Sequence, residues 1–330
     1  MHVLLLEGGK TKTLALLING EGEIKGYSIG GSSGWTTIGF NNAIKNIRFT
    51  IKNVLKKSGI SSYSIDAAFL GLSDLDTENS RAKFREAIPL MNLREHTKVY
   101  IVPDYVVAYY AVTLGKPGVS VIAGTGAIAF GRNSLGREAR AGGYGWFGND
   151  EGSAIWIALK ALEAAFKSYD GRGPKTKLEE KVMSFFGLKS MVDIIDKLYT
   201  MIKEDIGEVA KLAKIVDNVA KEDEVAKEIM SLAGKELALM VKAVYDKIRV
   251  PGENYIIGGV GSVFSSKIVH SSFTETIRKT IPKAVIVEPL IFYKPIKGLL
   301  SLAVKELNLN EVIVDKVLNG LDKLIKQEAK

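Results

Sequence analysis

The chain has 330 residues, of which 46% are hydrophobic and 25% charged, ordinary values for a soluble protein with a sizeable core. That length predicts roughly two domains. Cysteine is absent, which excludes disulfides, thiolate metal sites, iron–sulfur clusters and cysteine nucleophiles. The net charge is +8, but lysines alternate with acidic residues along predicted helices, so we expect no nucleic-acid partner.

The N-terminal residues carry neither a basic segment nor an apolar run long enough for a signal peptide. No apolar run approaches the roughly 18 residues of a membrane-spanning helix. Both features predict a cytoplasmic protein without a membrane partner.

The first part of the chain alternates apolar strands with amphipathic helices. The patterns predict strands at 3–6, 14–18, 23–29, 65–72 and 98–102, and helices at 41–57, 81–91 and 105–114. The pattern breaks at Gly115-Lys116-Pro117-Gly118, which predicts an N-terminal domain over 1–115 and a larger C-terminal domain over 116–330. In this prediction the second domain has a helical insertion, and its last helix could pack back on the first.

Beyond the break the opening pattern recurs in form. Strands predicted at 119–123 and 127–131 flank Gly124-Thr125-Gly126, as the first two strands flank a polar turn that begins with Gly8-Gly9. A mostly helical region follows to residue 250, then strands at 255–257 and 284–287 and helices from 296. The duplication predicts two related halves that face each other across a cleft.

Glycine turns follow three apolar strands, at Gly8-Gly9, at Gly124-Thr125-Gly126 and at Gly258-Gly259. Backbone N–H groups at such turns can cradle phosphate oxygens, and the hydroxyls of Thr11, Thr13 and Thr125 can donate further bonds. Neither a Walker A loop nor a G-x-G-x-x-G sequence that opens a helix is present.

Two acidic residues lie where a strand or a loop meets a helix. Asp104 follows the strand at 98–102 and is read as a proton acceptor at a strand end, as the N-cap of the next helix, or as both. Asp150 lies in the glycine-rich segment 142–153, where its carboxylate would accept from the first free N–H groups of the following helix. That segment is read either as an ordinary capped turn or as a ligand-binding loop.

The order of these motifs resembles the BadF/BadG/BcrA/BcrD ATPase family, and within it the N-acetylglucosamine kinase and archaeal hexokinase-like branch of the sugar kinase, heat-shock chaperone and actin superfamily. The resemblance runs from Leu4 to about Ala303. Its segments are 8–13, the Pro103-Asp104 pair, 124–126, 142–153, 170–174, 258–260 and Pro295 with Gly298. It implies an α/β fold of two ribonuclease-H-like (actin-like ATPase) domains that flank a central cleft.

The resemblance also implies ATP-dependent phosphoryl transfer to a hydroxyl of a hexose or amino sugar, with ATP and Mg²⁺ as cofactors and a homodimer as assembly. Asp104 would be the general base. The residues implied to bind nucleotide are Gly8, Gly9, Thr11, Lys12, Thr13, Gly124, Thr125, Gly126, Gly258 and Gly259. Those implied to bind sugar are Asp104, Gly143, Asp150 and Ser33.

Departures from the family pattern leave alternatives open. Glu7 stands where the family has the aspartate that orients hydrated Mg²⁺, and Lys10 replaces the third glycine of the loop. The protein is therefore a sugar kinase, a nucleotide- or sugar-binding regulator of kinase ancestry, or an ATPase with a non-sugar substrate. The lack of cysteine excludes the dehydratase-activator branch, which needs an iron–sulfur cluster, and the usual zinc motif of ROK kinases.

Overall fold

Three antiparallel strands at the start of the chain form a meander, and two parallel strands extend it beside the first. In the computed structural model, which describes residues 1–147, 150–204 and 206–328, this sheet has the order β3-β2-β1-β4-β5. Its strands are β1 (His2–Gly8), β2 (Thr13–Asn19), β3 (Ile24–Gly30), β4 (Ala67–Leu72) and β5 (Lys98–Pro103).

A second sheet repeats the same topology. Its order is β10-β9-β6-β7-β8, again a meander with two parallel strands beside its first strand. The strands are β6 (Gly118–Ala123), β7 (Ala127–Arg132), β8 (Glu138–Gly142), β9 (Ile256–Val260) and β10 (Val285–Ile286). The shared strand order agrees with the recurring strand–turn–strand pattern of the sequence.

The helices lie mostly after the meanders. They are α1 (Trp35–Ile38), α2 (Phe40–Ser58), α3 (Glu78–Glu86), α4 (Asp104–Thr113), α5 (Ala154–Tyr169), α6 (Leu178–Phe186), α7 (Ile194–Glu204), α8 (Ile206–Ala210), α9 (Leu212–Val219), α10 (Glu224–Ile248), α11 (Lys267–Thr280), α12 (Ile296–Glu306) and α13 (Val312–Glu328). Within the described residues, no helix is both long and apolar enough to cross a membrane.

Contacts divide the chain into two compact units. One contains Met1–Gly115 together with the segment from Phe292 onward, and the other is Lys116–Ile291. The last two helices thus group with the first sheet rather than with the second. That the units are independently folding domains stays a prediction.

Helices cover both faces of the first sheet, so its central strands are largely buried. The predicted apolar face of α2, with Ile44, Ile47, Ile51 and Leu55, packs against β2 and β3. On the other face α12 packs against α4 and β1. Strands covered on both sides are continuously apolar, and β4 is buried at every position.

The sequence pattern was wrong in three places. It missed β8, because Glu138-Ala139-Arg140 does not read as a strand; charged residues are common on such edge strands. The helix predicted to reach 91 ends at Glu86, since Pro89 lies in a separate 3₁₀ turn. The glycine turn predicted at Gly258-Gly259 is wrong, because β9 continues through Val260 and the chain turns only at Gly261.

Candidate active site

The carboxyl ends of three neighbouring strands bring several predicted site residues of the first unit together. Gly8 of β1 pairs with Leu72 of β4, which pairs in turn with Pro103 of β5. Because these strands are parallel and in register, the residues that follow each of them emerge at one edge of the sheet. This edge carries Glu7 and the loop 9–12, the loop that starts at Ser73, and Asp104.

The loop between β1 and β2 is a tight turn closed by a hydrogen bond from the Gly9 N–H to the Lys12 carbonyl, 2.9 Å long. Thr11 and Lys12 are exposed at its tip, where a ligand can reach them. Gly8 is buried beneath the turn, and a β-carbon there would lie 2.2 Å from the Ser33 hydroxyl oxygen. Only glycine lets the next loop approach β1 so closely.

Ser33 and Thr13 are both fully buried, but their hydroxyls differ. The Thr13 hydroxyl donates to the Gly31 carbonyl at 2.7 Å, so its proton is already used within the protein. The Ser33 hydroxyl has no hydrogen-bond partner among the described residues, although its N–H donates to the Gly9 carbonyl. A buried, unpartnered hydroxyl costs free energy, which makes Ser33 the better candidate for a ligand contact.

Asp104 is the first residue of α4, and Pro103 stands at the N-cap. The cap position expected for Asp104 was therefore wrong by one residue. Burial is the main cause that raises the pKa of Asp104 to about 7, and the charges of Asp76 and Asp74 raise it further. The Lys10 ammonium and the Tyr105 N–H oppose this rise. A carboxylate with a pKa near neutrality can accept a proton at physiological pH.

Glu7 lies next to Gly8 on β1, at the same edge. Burial raises the pKa of Glu7 to about 8, the Lys12 ammonium lowers it, and the charge of Asp104 raises it. The surrounding protein thus disfavours negative charge on both carboxylates, and a bound cation would relieve that cost.

In the second unit the glycine turn joins β6 to β7. The Gly124 N–H donates to the Gly126 carbonyl at 3.0 Å, and a β-carbon on Gly124 would meet no atom within 4 Å. The Gly124 and Thr125 carbonyls accept from the N–H groups of Ala154 and Ile155, in the first turn of α5. The turn and this helix N-terminus therefore form one hydrogen-bonded structure, in which these N–H groups already have partners and the backbone surface at Gly124 is open.

Asp150 connects this turn to the preceding loop. Its Oδ1 accepts from the Gly145 N–H at 3.2 Å, and its Oδ2 would lie 2.5 Å from a β-carbon at position 126. The N-cap of α5 is Ser153, whose hydroxyl accepts from the Trp156 N–H. The cap role predicted for Asp150 was therefore wrong, and its buried carboxylate instead lies against Gly126.

The remaining predicted residues of this unit occupy two places. Gly143 lies just after β8 with a positive φ of 73°, whereas Gly148 and Asn149 lie outside the described residues. Gly258 and Gly259 are interior residues of β9, not turn residues. Sequence reasoning did not single out Gly261, yet this glycine lies against the start of the Gly124 turn. A β-carbon on it would lie 2.5 Å from the Ala123 carbonyl oxygen.

Asp74 is a site residue that sequence reasoning missed. It follows β4, and its Oδ1 lies 3.5 Å from the Lys10 Nζ. A signal for it existed, because Asp74 comes shortly after an apolar strand, as Asp104 does.

Two sheets of identical strand order, each carrying a glycine turn between its first two strands, define a protein of two ribonuclease-H-like domains. The chain belongs to the BadF/BadG/BcrA/BcrD ATPase family, whose model matches residues 6–303.

Relatives found by sequence similarity are named as kinases. An N-acetylmuramic acid/N-acetylglucosamine kinase of Clostridium acetobutylicum is 33% identical over 237 residues, covering 71% of this chain and 76% of the relative. An N-acetyl-D-glucosamine kinase of Dictyostelium discoideum is 25% identical over 290 residues, covering 84% and 91%. A solved structure from Chromobacterium violaceum, proposed to be an N-acetylglucosamine kinase, has a TM-score of 0.74 at 20% identity, covering 91% of this chain and 98% of the other, which supports the fold.

Proposed function

We propose that this protein transfers the γ-phosphoryl group of ATP to a hydroxyl of a hexose or amino sugar. The observation that carries the proposal is Asp104, a carboxylate with a pKa raised to about 7 at the edge of the sheet where the glycine turn of β1 and β2 also lies. The kinase names of the relatives support the same reaction.

In this mechanism Asp104 accepts the proton of the attacking sugar hydroxyl. The hydroxyl oxygen then bonds to the γ-phosphorus while the bond from that phosphorus to the bridging oxygen of ADP breaks. The Gly9 turn, with Thr11 and Lys12, and the Gly124 turn bind phosphate oxygens in this proposal. Asp150, Gly143 and Ser33 bind the sugar, and Gly258 and Gly259 pack near the adenosine.

A magnesium ion fits the donors at this edge. The described residues contain no group of three or more His, Asp or Glu side chains that could hold a metal alone. Mg²⁺ in nucleotide sites is held mainly by phosphates and water with one or two carboxylates, and Glu7 would be such a carboxylate, acting through water. When bound, the ion neutralises charge on the phosphates.

The proposal predicts a specific pH dependence. Since Asp104 must be ionised to accept a proton and its pKa is raised, kcat/KM for the sugar should fall below about pH 7, approaching tenfold per pH unit. Asp76→Asn removes a negative charge that raises this pKa, so the acid limb should move to lower pH. A limb near pH 4, or one that Asp76→Asn leaves in place, contradicts the assignment.

The function is tested by measuring ADP formation from Mg-ATP with glucose, mannose, glucosamine, N-acetylglucosamine, N-acetylmannosamine and N-acetylmuramic acid. Turnover that depends on one or a few sugars supports the kinase. Sugar binding by calorimetry without turnover would instead favour a regulatory binding protein, the alternative that Glu7 and Lys10 motivate. ATP hydrolysis that no sugar alters would favour an ATPase with another substrate. The homodimer stays a prediction, which sedimentation of the purified protein can test.

A further inference from the structure

Lys10 forms a loose ion pair inside the first unit. Its Nζ lies 3.5 Å from the Asp74 Oδ1, longer than the roughly 2.7–2.9 Å of a strong charge-assisted hydrogen bond. The Lys10 side chain is 38% exposed, whereas that of Asp74 is only 7% exposed. The more exposed lysine is therefore the partner that can move away.

Asp74 is held firmly by other contacts. Its Oδ2 accepts from the Thr36 N–H at 3.2 Å and from the Thr36 hydroxyl at 2.7 Å, and its carbonyl accepts from the Trp35 indole N–H at 3.0 Å. Its backbone has a φ of 61°, a left-handed conformation that aspartate and asparagine tolerate better than most residues. Asp74 is thus held in place by contacts other than its ion pair with Lys10.

The position of Lys10 also places it near the proposed chemistry. Lys10 follows β1 and Asp104 follows β5, and these strands end at the same edge of the sheet. There the Lys10 ammonium lowers the pKa of Asp104, and the Lys12 ammonium lowers that of Glu7. In an in-line transfer the γ-phosphorus lies within about 3–3.5 Å of the oxygen whose proton Asp104 takes. A cation close to Asp104 is therefore close to the phosphoryl group that is transferred.

We propose that Lys10 exchanges its ion pair with Asp74 for one with the γ-phosphate of bound ATP, and so supplies a cation that the glycine usual at this position lacks. This inference rests on the proposed function. The exchange is favourable because a γ-phosphate carries more charge than a carboxylate. Asp74 is then a positioning residue, which holds the Lys10 ammonium beside the loop that contains Thr36 when no ATP is bound.

The test compares the affinities of β,γ-imido-ATP and ADP, both with Mg²⁺, by calorimetry on the full chain. Lys10→Met should weaken binding of the imido analogue by about 10- to 100-fold and that of ADP by less than about threefold, because only the former has a γ-phosphate. Lys25→Met, which removes an ammonium paired with Glu23 on β3, is the matched control and should change neither affinity. Equal losses for both nucleotides, or no loss, overturn the inference.

Asp74→Asn provides a second, independent measurement. The change keeps the side-chain shape and a residue that tolerates positive φ, but frees Lys10 from its ion pair. Binding of the imido analogue should tighten severalfold in the wild-type background and stay unchanged in the Lys10→Met background. An equal gain in both backgrounds would mean general relief of negative charge and would contradict an exchange by Lys10.

These measurements need no sugar, so the two proposals can fail separately. If no sugar supports turnover but the contrast between the analogue and ADP holds, the kinase proposal fails and Lys10 remains a γ-phosphate ligand. If a sugar supports turnover but the contrast is absent, only the role of Lys10 is wrong.

Discussion

Replacement of Asp104 with asparagine is expected to lower kcat by about 10²- to 10⁴-fold, the range found for loss of a general base. Asparagine has nearly the same shape as aspartate and differs in the first turn of the helix mainly by its lack of negative charge. We therefore expect α4 to keep its position. Because the amide cannot take a proton, the loss should appear in kcat, while the affinity for ADP changes by less than about threefold.

The matched control is Asp76→Asn, the same chemical change at an exposed neighbour in the same unit. It should leave the plateau value of kcat within about twofold and only shift the acid limb of the pH profile. Steady-state kinetics at pH 8 and calorimetry with ADP measure both variants. An Asp104→Asn protein that keeps more than a tenth of the wild-type kcat would exclude Asp104 as the base.

Gly298→Ala should destabilise the protein strongly. Gly298 lies in α12 where this helix crosses α4, and a β-carbon there would lie 1.9 Å from the Val107 carbonyl oxygen. Backbone cannot move aside as a side chain can, so the helices must separate. We expect the free energy of unfolding to fall by about 2–4 kcal/mol, at or above the usual range for overpacking. Since α4 begins with Asp104, kcat should fall as well.

Gly320→Ala is the control for helix propensity. Gly320 lies in α13, and a β-carbon there would meet only the end of the flexible Ile24 side chain, at 3.1 Å. Alanine is favoured over glycine in a helix by about 0.5–1 kcal/mol, so this variant should be as stable as the wild type or slightly more stable. Urea denaturation followed by circular dichroism compares the two. If Gly298→Ala is no less stable than Gly320→Ala, the close approach of α12 to α4 is wrong.

Local pattern was enough to predict most of the first unit. The spacing of Ile44, Ile47 and Ile51 predicted α2 because one helical face must be apolar to be buried. The same holds for β4, whose continuous apolar run reflects burial on both faces. The recurrence of a glycine turn between two strands predicted the repeated sheet topology, since a turn and its flanking strands form one local unit.

The sequence alone thus determined the class of fold, the family and the two glycine turns, because each is encoded in residues that are neighbours along the chain. Only the tertiary structure decided that Ser153 rather than Asp150 caps α5, and that Lys10 pairs with Asp74. The positions of Lys10 and Asp74 are 64 apart in sequence, and neither residue type nor periodicity specifies such a contact. It exists because parallel pairing of β1 with β4 brings the ends of both strands to one edge, where loops of no regular pattern meet.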